Sequence, residues 1–234
     1  MTDTLTSLAA TISHPEFDHV DAWIFDLDNT LYPAHCNLFA QIDERMGSFI
    51  AKELQVDRVE ARRIQKKFYV EHGTTLAGLM AEHGMKPGPF LDYVHDIDLA
   101  VVEESKALDE ALARLPGKRF IFTNGSRRHA ENVAGKLGVL NRFDAIIDIA
   151  ACDFVPKPHA DAFGRFLGHS SANARKAAMF EDIARNLEVP HQLGMRTVWV
   201  HTGEEWATEK AHHGSDGEHV HHVTDNLIGF LEAL

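Results

Sequence analysis

The chain has 234 residues, 44% hydrophobic and 25% charged, which is the composition of a globular protein able to bury a sizeable core. Its 23 basic and 35 acidic side chains give a formal net charge of -12, which argues against a broad surface for a nucleic acid polymer but not against a small anionic substrate. No apolar run approaches the length of a membrane span, the first residues lack a signal-peptide pattern, and two cysteines form no disulfide framework, so we expect a cytoplasmic protein without a membrane partner.

Five short apolar runs predict buried strands of a parallel sheet, because they are continuous rather than alternating. The runs span residues 22–26, 119–123, 145–149, 177–181 and 197–200. Helical patterns separate the later runs, at residues 127–137, 160–167 and 183–193. Strands and helices in alternation, joined by right-handed crossovers, predict an α/β fold with a doubly wound, Rossmann-like parallel sheet.

The segment between the first two strands contains no convincing strand. Apolar residues from Leu38 to Ile50 recur with helical spacing, and Val59, Phe68 and Val70 indicate a second helix. A third helix is predicted at residues 75–82, with Gly84 after it as a C-terminal cap. The expected organisation is an α/β core at residues 19–33 and 116–234, an all-helical insertion at 34–115, and an N-terminal extension at 1–18.

The tail of the chain is polar up to residue 223 and is expected to form a loop, followed by a short helix at 226–234. Five histidines in or near this loop raise the alternative of a metal site. They are His212, His213, His219, His221 and His222. The glycines between them favour a solvated loop, because a structural metal site needs ligands that are held in place.

The residues that can carry chemistry follow the predicted strands. Ligands of open parallel sheets bind beyond the carboxyl ends of the strands, so these residues are expected to meet at one edge. They are Asp26 and Asp28 after the first strand, Thr123, Asn124 and Gly125 after the second, Lys157 after the third, and Asp182 after the fourth.

This set of side chains suits a phosphate ester and a hard divalent cation. The carboxylates of Asp26 and Asp182, with the main-chain carbonyl of Asp28, are expected to bind Mg²⁺. Lys157, Thr123 and the amides of Asn124 and Gly125 would hold the phosphoryl oxygens. Asp26 could then form an aspartyl-phosphate, while Asp28 protonates the leaving oxygen and later activates water.

Taken together, these motifs resemble those of the haloacid dehalogenase superfamily. The resemblance covers nearly the whole chain except the first eighteen residues and the histidine-rich tail, and it identifies residues 34–115 with the helical cap of that superfamily. It implies that the cap closes over the active site and selects the substrate. Dehalogenases of the superfamily lack the second aspartate of the first motif, so Asp28 favours phosphoryl transfer.

Within the superfamily, three segments resemble the pyrimidine 5'-nucleotidase group, at residues 26–33, 73–76 and 94–98. This implies hydrolysis of a nucleoside monophosphate, with Thr74 and Thr75 as substrate contacts from the cap. Thr74 could equally be only the N-cap of a helix, and His95 could be a cap contact or a histidine of the core. Many relatives have a further aspartate where this chain has Asn186, so Glu181 and Asn186 are assigned the orientation of metal-bound water or of Lys157.

Other functions remain open from the sequence. Relatives in this group also act on other small phosphate esters, so a sugar phosphate, phosphoglycolate or a cofactor phosphate is an alternative substrate. A phosphomutase would return the phosphoryl group to a sugar phosphate. A non-catalytic binding protein is disfavoured, because it has no physical need for so many close negative charges.

Overall fold

The computed structural model describes residues 14–203 and 217–234, which form a six-stranded parallel sheet and nine α-helices within those ranges. The sheet order is β3-β2-β1-β4-β5-β6. The strands are β1 (Ala22–Phe25), β2 (Lys118–Phe122), β3 (Ala145–Ile147), β4 (Ala177–Glu181), β5 (Arg196–Val200) and β6 (His222–Thr224). Their register aligns Phe25 of β1 with Ile121 of β2 and Phe180 of β4.

The helices divide between the sheet and the insertion. They are α1 (Leu38–Leu54), α2 (Arg58–His72), α3 (Thr75–His83), α4 (Pro87–Val94), α5 (Lys106–Arg114), α6 (Arg127–Leu137), α7 (Ala160–Ser170), α8 (Glu188–Gln192) and α9 (Leu227–Glu232). Among the described residues, no helix combines the length and the apolar character needed to cross a bilayer.

Both faces of the sheet are covered, because successive strand side chains point to opposite sides. On one face Trp23 and Phe25 pack in a cluster with α5, α6 and α9. On the other face Ala22 and Ile24 pack in a second cluster with α7 and α8. The sequence-based prediction of a doubly wound α/β sheet is therefore confirmed.

The prediction that the tail is a loop up to residue 223 is wrong at its end. His222 lies in β6, which pairs in parallel with β5, and Thr197 donates its N–H to Nδ1 of His221. His219 is 5% exposed and His222 is partly buried in β6, so these two histidines are not on a solvated loop, whereas His221 is exposed as expected. A three-residue edge strand carries no apolar run and only its pairing reveals it. His212 and His213 lie outside the described residues.

The insertion between β1 and β2 contains α1 to α4, which share a hydrophobic cluster separate from those of the sheet. In α2 the buried face is formed by Ala61, Gln65 and Phe68. Val59 is 81% exposed and does not belong to that face, contrary to the sequence-based pattern. The four helices pack on one another around this cluster.

Helix α5 lies within the predicted insertion but packs on the sheet. Its residues Leu108 and Leu112, followed by Leu115, belong to the same cluster as Trp23 and Phe25. Helix α5 is amphipathic, and its apolar side packs on the face of the sheet that carries Trp23 and Phe25. We therefore propose that the helical cap spans residues 38–95, from the start of α1 to the residue that caps the C-terminus of α4. This is shorter than the range of 34–115 expected from the sequence.

Candidate active site

The predicted site residues meet at the carboxyl ends of the strands. The sheet runs outward from β1 through β2 and β3 on one side, and through β4, β5 and β6 on the other. Asp26 follows β1 and Asp182 follows β4, so they lie on either side of the point where the strand order reverses. This is the place where open α/β sheets bind ligands.

A cavity of about 1130 Å³ lies at this edge of the sheet, between the sheet and the cap helices. All nine residues that the sequence assigned to the site line the cavity. They are Asp26, Asp28, Thr74, Thr75, Thr123, Asn124, Gly125, Lys157 and Asp182. The tertiary structure therefore brings together residues that are up to 156 positions apart, from Asp26 to Asp182.

Lys157 is the buried cation of the site. Its Nζ donates to Oδ1 of Asp26 at 2.6 Å, to the carbonyl oxygen of Phe122 at 2.8 Å and to Oε1 of Glu181 at 2.9 Å. Burial disfavours the charged ammonium, but the carboxylates of Asp26 and Glu181 outweigh it and raise the pKa of Lys157. The lysine is therefore protonated and held in a fixed position.

Three buried carboxylates surround this single cation. Oxygens of Asp26, Glu181 and Asp182 lie within 4.8 Å of one another, and none of these residues is more than 7% exposed. Burial and the negative charges of Glu181 and Asp28 raise the pKa of Asp26 to about 7, against the opposing effect of Lys157. Burial and the charges of Glu181 and Asp26 likewise raise the pKa of Asp182 well above its usual range.

This excess of negative charge fits a hard divalent cation, because buried carboxylate oxygens without enough counter-charge are the ligands such ions prefer. Glu181 is the carboxylate least free to bind an ion. Its Oε1 accepts from Lys157 and, at 2.6 Å, from Nδ2 of Asn186, while its Oε2 accepts from the N–H of Ile183. Glu181 and Asn186 thus orient Lys157, which is one of the two roles the sequence left open for them.

Asp28 is held differently from Asp26. Its Oδ1 accepts from the hydroxyl of Tyr32 at 2.7 Å and from Nε2 of His129 at 2.8 Å. Burial opposes ionisation of Asp28, but the charge of His129 and these two hydrogen bonds prevail, and the pKa of Asp28 is lowered. Sequence reasoning missed both partners, although Tyr32 lies four residues after Asp28 in the first motif.

The loop after β2 is tied to the loop that carries Lys157. The side chain of Asn124 accepts from the main-chain N–H of Lys157 at 2.8 Å and donates to its carbonyl oxygen at 3.2 Å. The N–H of Gly125 donates to Oγ1 of Thr123 at 2.9 Å. Asn124 therefore positions Lys157, a function that the sequence alone did not assign to it.

Thr74 and Thr75 form the start of α3 on the cap side of the cavity. Oγ1 of Thr74 accepts from the N–H of Ala77 at 3.1 Å, which makes Thr74 the N-cap of this helix. Both threonines also line the cavity. The role of Thr74 as the N-cap of α3 is thus observed. A contact from either threonine to a substrate remains a proposal.

His95, which immediately follows α4, reaches the site from the cap. Its Nδ1 is hydrogen-bonded to Oγ of Ser126 at 3.0 Å, and its ring stacks on His129 with centroids 4.3 Å apart. Burial and the charge of His129 lower the pKa of His95 to about 3. It is therefore a neutral histidine inside the protein and one of the groups that line the cavity.

The fold and the site together define a class of protein: a doubly wound α/β enzyme with a helical cap above a buried lysine and a carboxylate cluster. A family model described as haloacid dehalogenase-like hydrolase matches residues 20–194. The chain belongs to this family of hydrolases.

Solved structures of similar fold include an L-2-haloacid dehalogenase from Xanthobacter autotrophicus with covalently bound chloropropionic acid. It is 16% identical, with a TM-score of 0.55, and the match covers 91% of this chain and 97% of that one. The putative HAD-hydrolase YfnB from Bacillus subtilis, bound to magnesium, is 12% identical with a TM-score of 0.56 over 91% of this chain and 97% of that one. At these identities the likeness shows the fold alone.

A relative by sequence is phosphate metabolism protein 8 of Saccharomyces cerevisiae. It is 26% identical over an alignment of 206 residues that covers 80% of this chain. The match spans 63% of the length of the yeast protein.

Proposed function

We propose that this chain is a magnesium-dependent phosphomonoesterase that works through an aspartyl-phosphate on Asp26. The observation that carries the proposal is the pairing of two neighbouring aspartates in different surroundings. Asp26 lies against Lys157 and two further carboxylates, whereas Asp28 is held by Tyr32 and His129. One carboxylate can act as nucleophile and the other as proton donor if bound Mg²⁺ ionises Asp26, whose pKa is raised without a metal, and if the negative charge of the arriving phosphate raises the lowered pKa of Asp28 so that it carries a proton.

The residues assigned to the metal are Asp26 and Asp182, with the main-chain carbonyl of Asp28. A bound Mg²⁺ would neutralise part of the charge on the carboxylates and on the phosphoryl oxygens. Lys157 adds a second positive charge, already in place 2.6 Å from Asp26. An anionic nucleophile needs such compensation before it can approach an anionic ester.

The proposed reaction has two steps. In the first, an oxygen of Asp26 bonds to phosphorus, the ester P–O bond breaks, and Asp28 gives a proton to the leaving alkoxide. In the second, Asp28 takes a proton from water, the water oxygen bonds to phosphorus, and the bond to Asp26 breaks. Inorganic phosphate and an alcohol are released, and both aspartates return to their starting states.

Hydrolytic dehalogenation is the alternative that the structural neighbours raise, because several of them are dehalogenases. A halide leaves without a proton. Dehalogenation therefore needs no proton donor at Asp28, and the hydrogen bonds from Tyr32 and His129 that orient Asp28 would have no role in it. This consideration favours phosphoryl transfer.

We propose that the substrate is a nucleoside 5'-monophosphate and that pyrimidine nucleotides are preferred over purine nucleotides. The cavity is large enough for a nucleotide, and the guanidinium of Arg185 lies 5.7 Å from the ring centroid of Tyr69 at its wall. A planar base could stack on either group. The name of the yeast relative refers to phosphate metabolism in general. It is equally compatible with a sugar phosphate, phosphoglycolate or a cofactor phosphate as the substrate.

The decisive experiment measures phosphate release from a panel of nucleoside monophosphates, sugar phosphates and cofactor phosphates, with Mg²⁺ and with EDTA. We expect Mg²⁺-dependent release that Asp26→Asn abolishes and Asp28→Asn lowers by about 100-fold or more. Normal turnover by Asp26→Asn would contradict the assigned nucleophile. Isomerisation of a sugar phosphate without net phosphate release, in the presence of a bisphosphate primer, would instead identify a phosphomutase.

A further inference from the structure

The side chain of Asp28 is oriented by two donors that reach the same oxygen. Tyr32 and His129 both donate to Oδ1, at 2.7 Å and 2.8 Å. No donor among the described residues reaches Oδ2, while Asp28 itself lines the cavity. Oδ2 is therefore the oxygen that can exchange a proton with a substrate, and His129 and Tyr32 decide where it points.

His129 does not itself line the cavity and is 1% exposed. It lies in the first turn of α6, where its N–H donates to Oγ of Ser126 at 3.3 Å. Its ring is packed under Gly125, where a Cβ would come within 3.3 Å of Cδ2 of the imidazole. The residue can thus act on the reaction only through Asp28.

The ring of His129 is covered by a residue of the cap. His95 stacks on it with an interplanar angle of 9° and a centroid distance of 4.3 Å. The hydrogen bond between Nδ1 of His95 and Oγ of Ser126 holds the ring of His95 at the start of α6. The contact joins the end of α4 in the cap to α6 in the core, beside the cavity that the cap covers.

We propose that the stacked pair of His95 and His129 couples closure of the cap to the orientation of Asp28. This inference rests on the proposed function, in which Asp28 transfers protons. With the cap closed, His95 holds the ring of His129 in place, and Nε2 of His129 holds Asp28. When the cap opens, His129 loses this cover, and Asp28 is aligned less well for proton transfer. His95 and His129 are positioning residues rather than catalytic ones.

The kinetic test compares His129→Ala with His129→Gln, whose amide nitrogen can replace Nε2 as a donor. We expect kcat for a nucleoside monophosphate to fall about 10- to 100-fold in His129→Ala, with KM changed less than about twofold, because only alignment is lost. His129→Gln should recover much of the rate. The loss should be smaller for p-nitrophenyl phosphate, whose leaving group needs no proton in the first step.

The coupling is tested at His95. His95→Phe keeps a ring for the stack and should retain most of the activity, whereas His95→Ala should lower kcat about tenfold. In the double variant His95→Ala, His129→Ala the two losses should not add, because both act through Asp28. His19→Ala, at an exposed position, serves as the control for removing a histidine. Unchanged kcat in His95→Ala would overturn the proposal.

The coupling can also be tested without an activity assay, by determining the crystal structure of the His95→Ala variant. We expect the ring of His129 to rotate and its 2.8 Å contact with Asp28 to be lost. Unaltered positions of both side chains would overturn the coupling. Should the wild-type chain hydrolyse no phosphate ester, the proposed function fails, and this structure still decides whether His95 positions Asp28.

Discussion

At the scale of single residues, Lys157 determines the charge balance of the site. It is 2% exposed and is the only cation paired with a member of the cluster Asp26, Glu181 and Asp182 among the described residues. Removing one partner of a buried ion pair leaves uncompensated charge, which costs far more than the net value of the pair. The same lysine therefore serves both the proposed chemistry and the stability of the fold.

We predict that Lys157→Met lowers the free energy of unfolding by about 3 kcal/mol or more, because Asp26 and Glu181 lose their counter-charge. The measurement is urea unfolding at pH 7.5 without divalent ions. Lys176→Met is the matched control, since Lys176 forms an exposed pair with Asp21 at 3.7 Å. The control should stay within about 0.5 kcal/mol of the wild type. Equal effects of the two substitutions would contradict the prediction.

The lowered pKa of His95 predicts that the free energy of unfolding depends on pH. Its pKa is about 3 in the folded protein because burial and the charge of His129 disfavour protonation, while an unfolded histidine titrates near 6.5. Between these values the unfolded chain binds the extra proton. His95 therefore stabilises the fold fully above pH 6.5, and this contribution is lost as the pH falls below 6.5, by up to about 1.4 kcal/mol per pH unit.

The measurement is the free energy of unfolding of wild type and His95→Phe from pH 7.5 to 4.5. The variant lacks the titrating group, so its stability should fall less steeply on acidification. Other titrating groups contribute to both proteins and largely cancel in the comparison. Parallel curves would show that His95 does not have the lowered pKa inferred from its burial.

At the scale of helices and strands, the interface of α2 and α3 depends on a glycine. A Cβ on Gly78 would lie 2.3 Å from Cγ of Phe68, which is 1% exposed in the cap cluster. Phe68 is fully surrounded in that cluster and cannot move away without disturbing it. The two helices approach this closely only because position 78 has no side chain.

We predict that Gly78→Ala destabilises the protein by about 1–3 kcal/mol through overpacking against Phe68, despite the better helix propensity of alanine. Gly164→Ala in α7 is the control, because a Cβ there meets nothing within 4 Å. The control should be neutral or stabilising by up to about 1 kcal/mol. Thermal and urea unfolding measure both variants, and a stable Gly78→Ala would refute the close approach.

Elements with a strong pattern could be predicted from the sequence, and elements defined by their neighbours could not. The five buried strands could be predicted because each contains a short continuous apolar run. Strand β6 has no such run and exists because it pairs with β5. Helix α5 would be amphipathic whether it belonged to the cap or to the sheet domain. Only its packing on Trp23 and Phe25 assigns it to the sheet.

At the scale of the whole molecule, the core supplies the charged groups and the cap encloses them. The cavity is lined by Asp26, Lys157 and Asp182 from the core and by residues of α1 to α4 from the cap. A cation bound among the carboxylates would stabilise only the folded state, in which they are brought together. Binding of metal and global stability are therefore linked.

We predict that Mg²⁺ raises the Tm, since it relieves repulsion among the carboxylates of the site. At a concentration one hundred times its Kd, the gain is about 2.7 kcal/mol, or about 5–10 °C in a chain of this size. Asp182→Asn should remove most of the shift, and Asp18→Asn, at an exposed position, should keep it. An undiminished shift in Asp182→Asn, measured at constant ionic strength, would exclude Asp182 as a ligand.

The sequence by itself determined five of the six strands, the presence of a helical insertion and nine of the residues that line the cavity, because strand ends and their polar residues are local features. Only the tertiary structure decided the partners of those residues. The bond from His129 to Asp28 joins side chains that are 101 positions apart, so it depends on how α6 packs beside the loop after β1. The bonds from Tyr32 to Asp28 and from Asn186 to Glu181 are local, but they depend on the turns that follow β1 and β4, which carry no periodic pattern. A pattern along the chain specifies neither the packing of distant elements nor the conformation of an irregular turn.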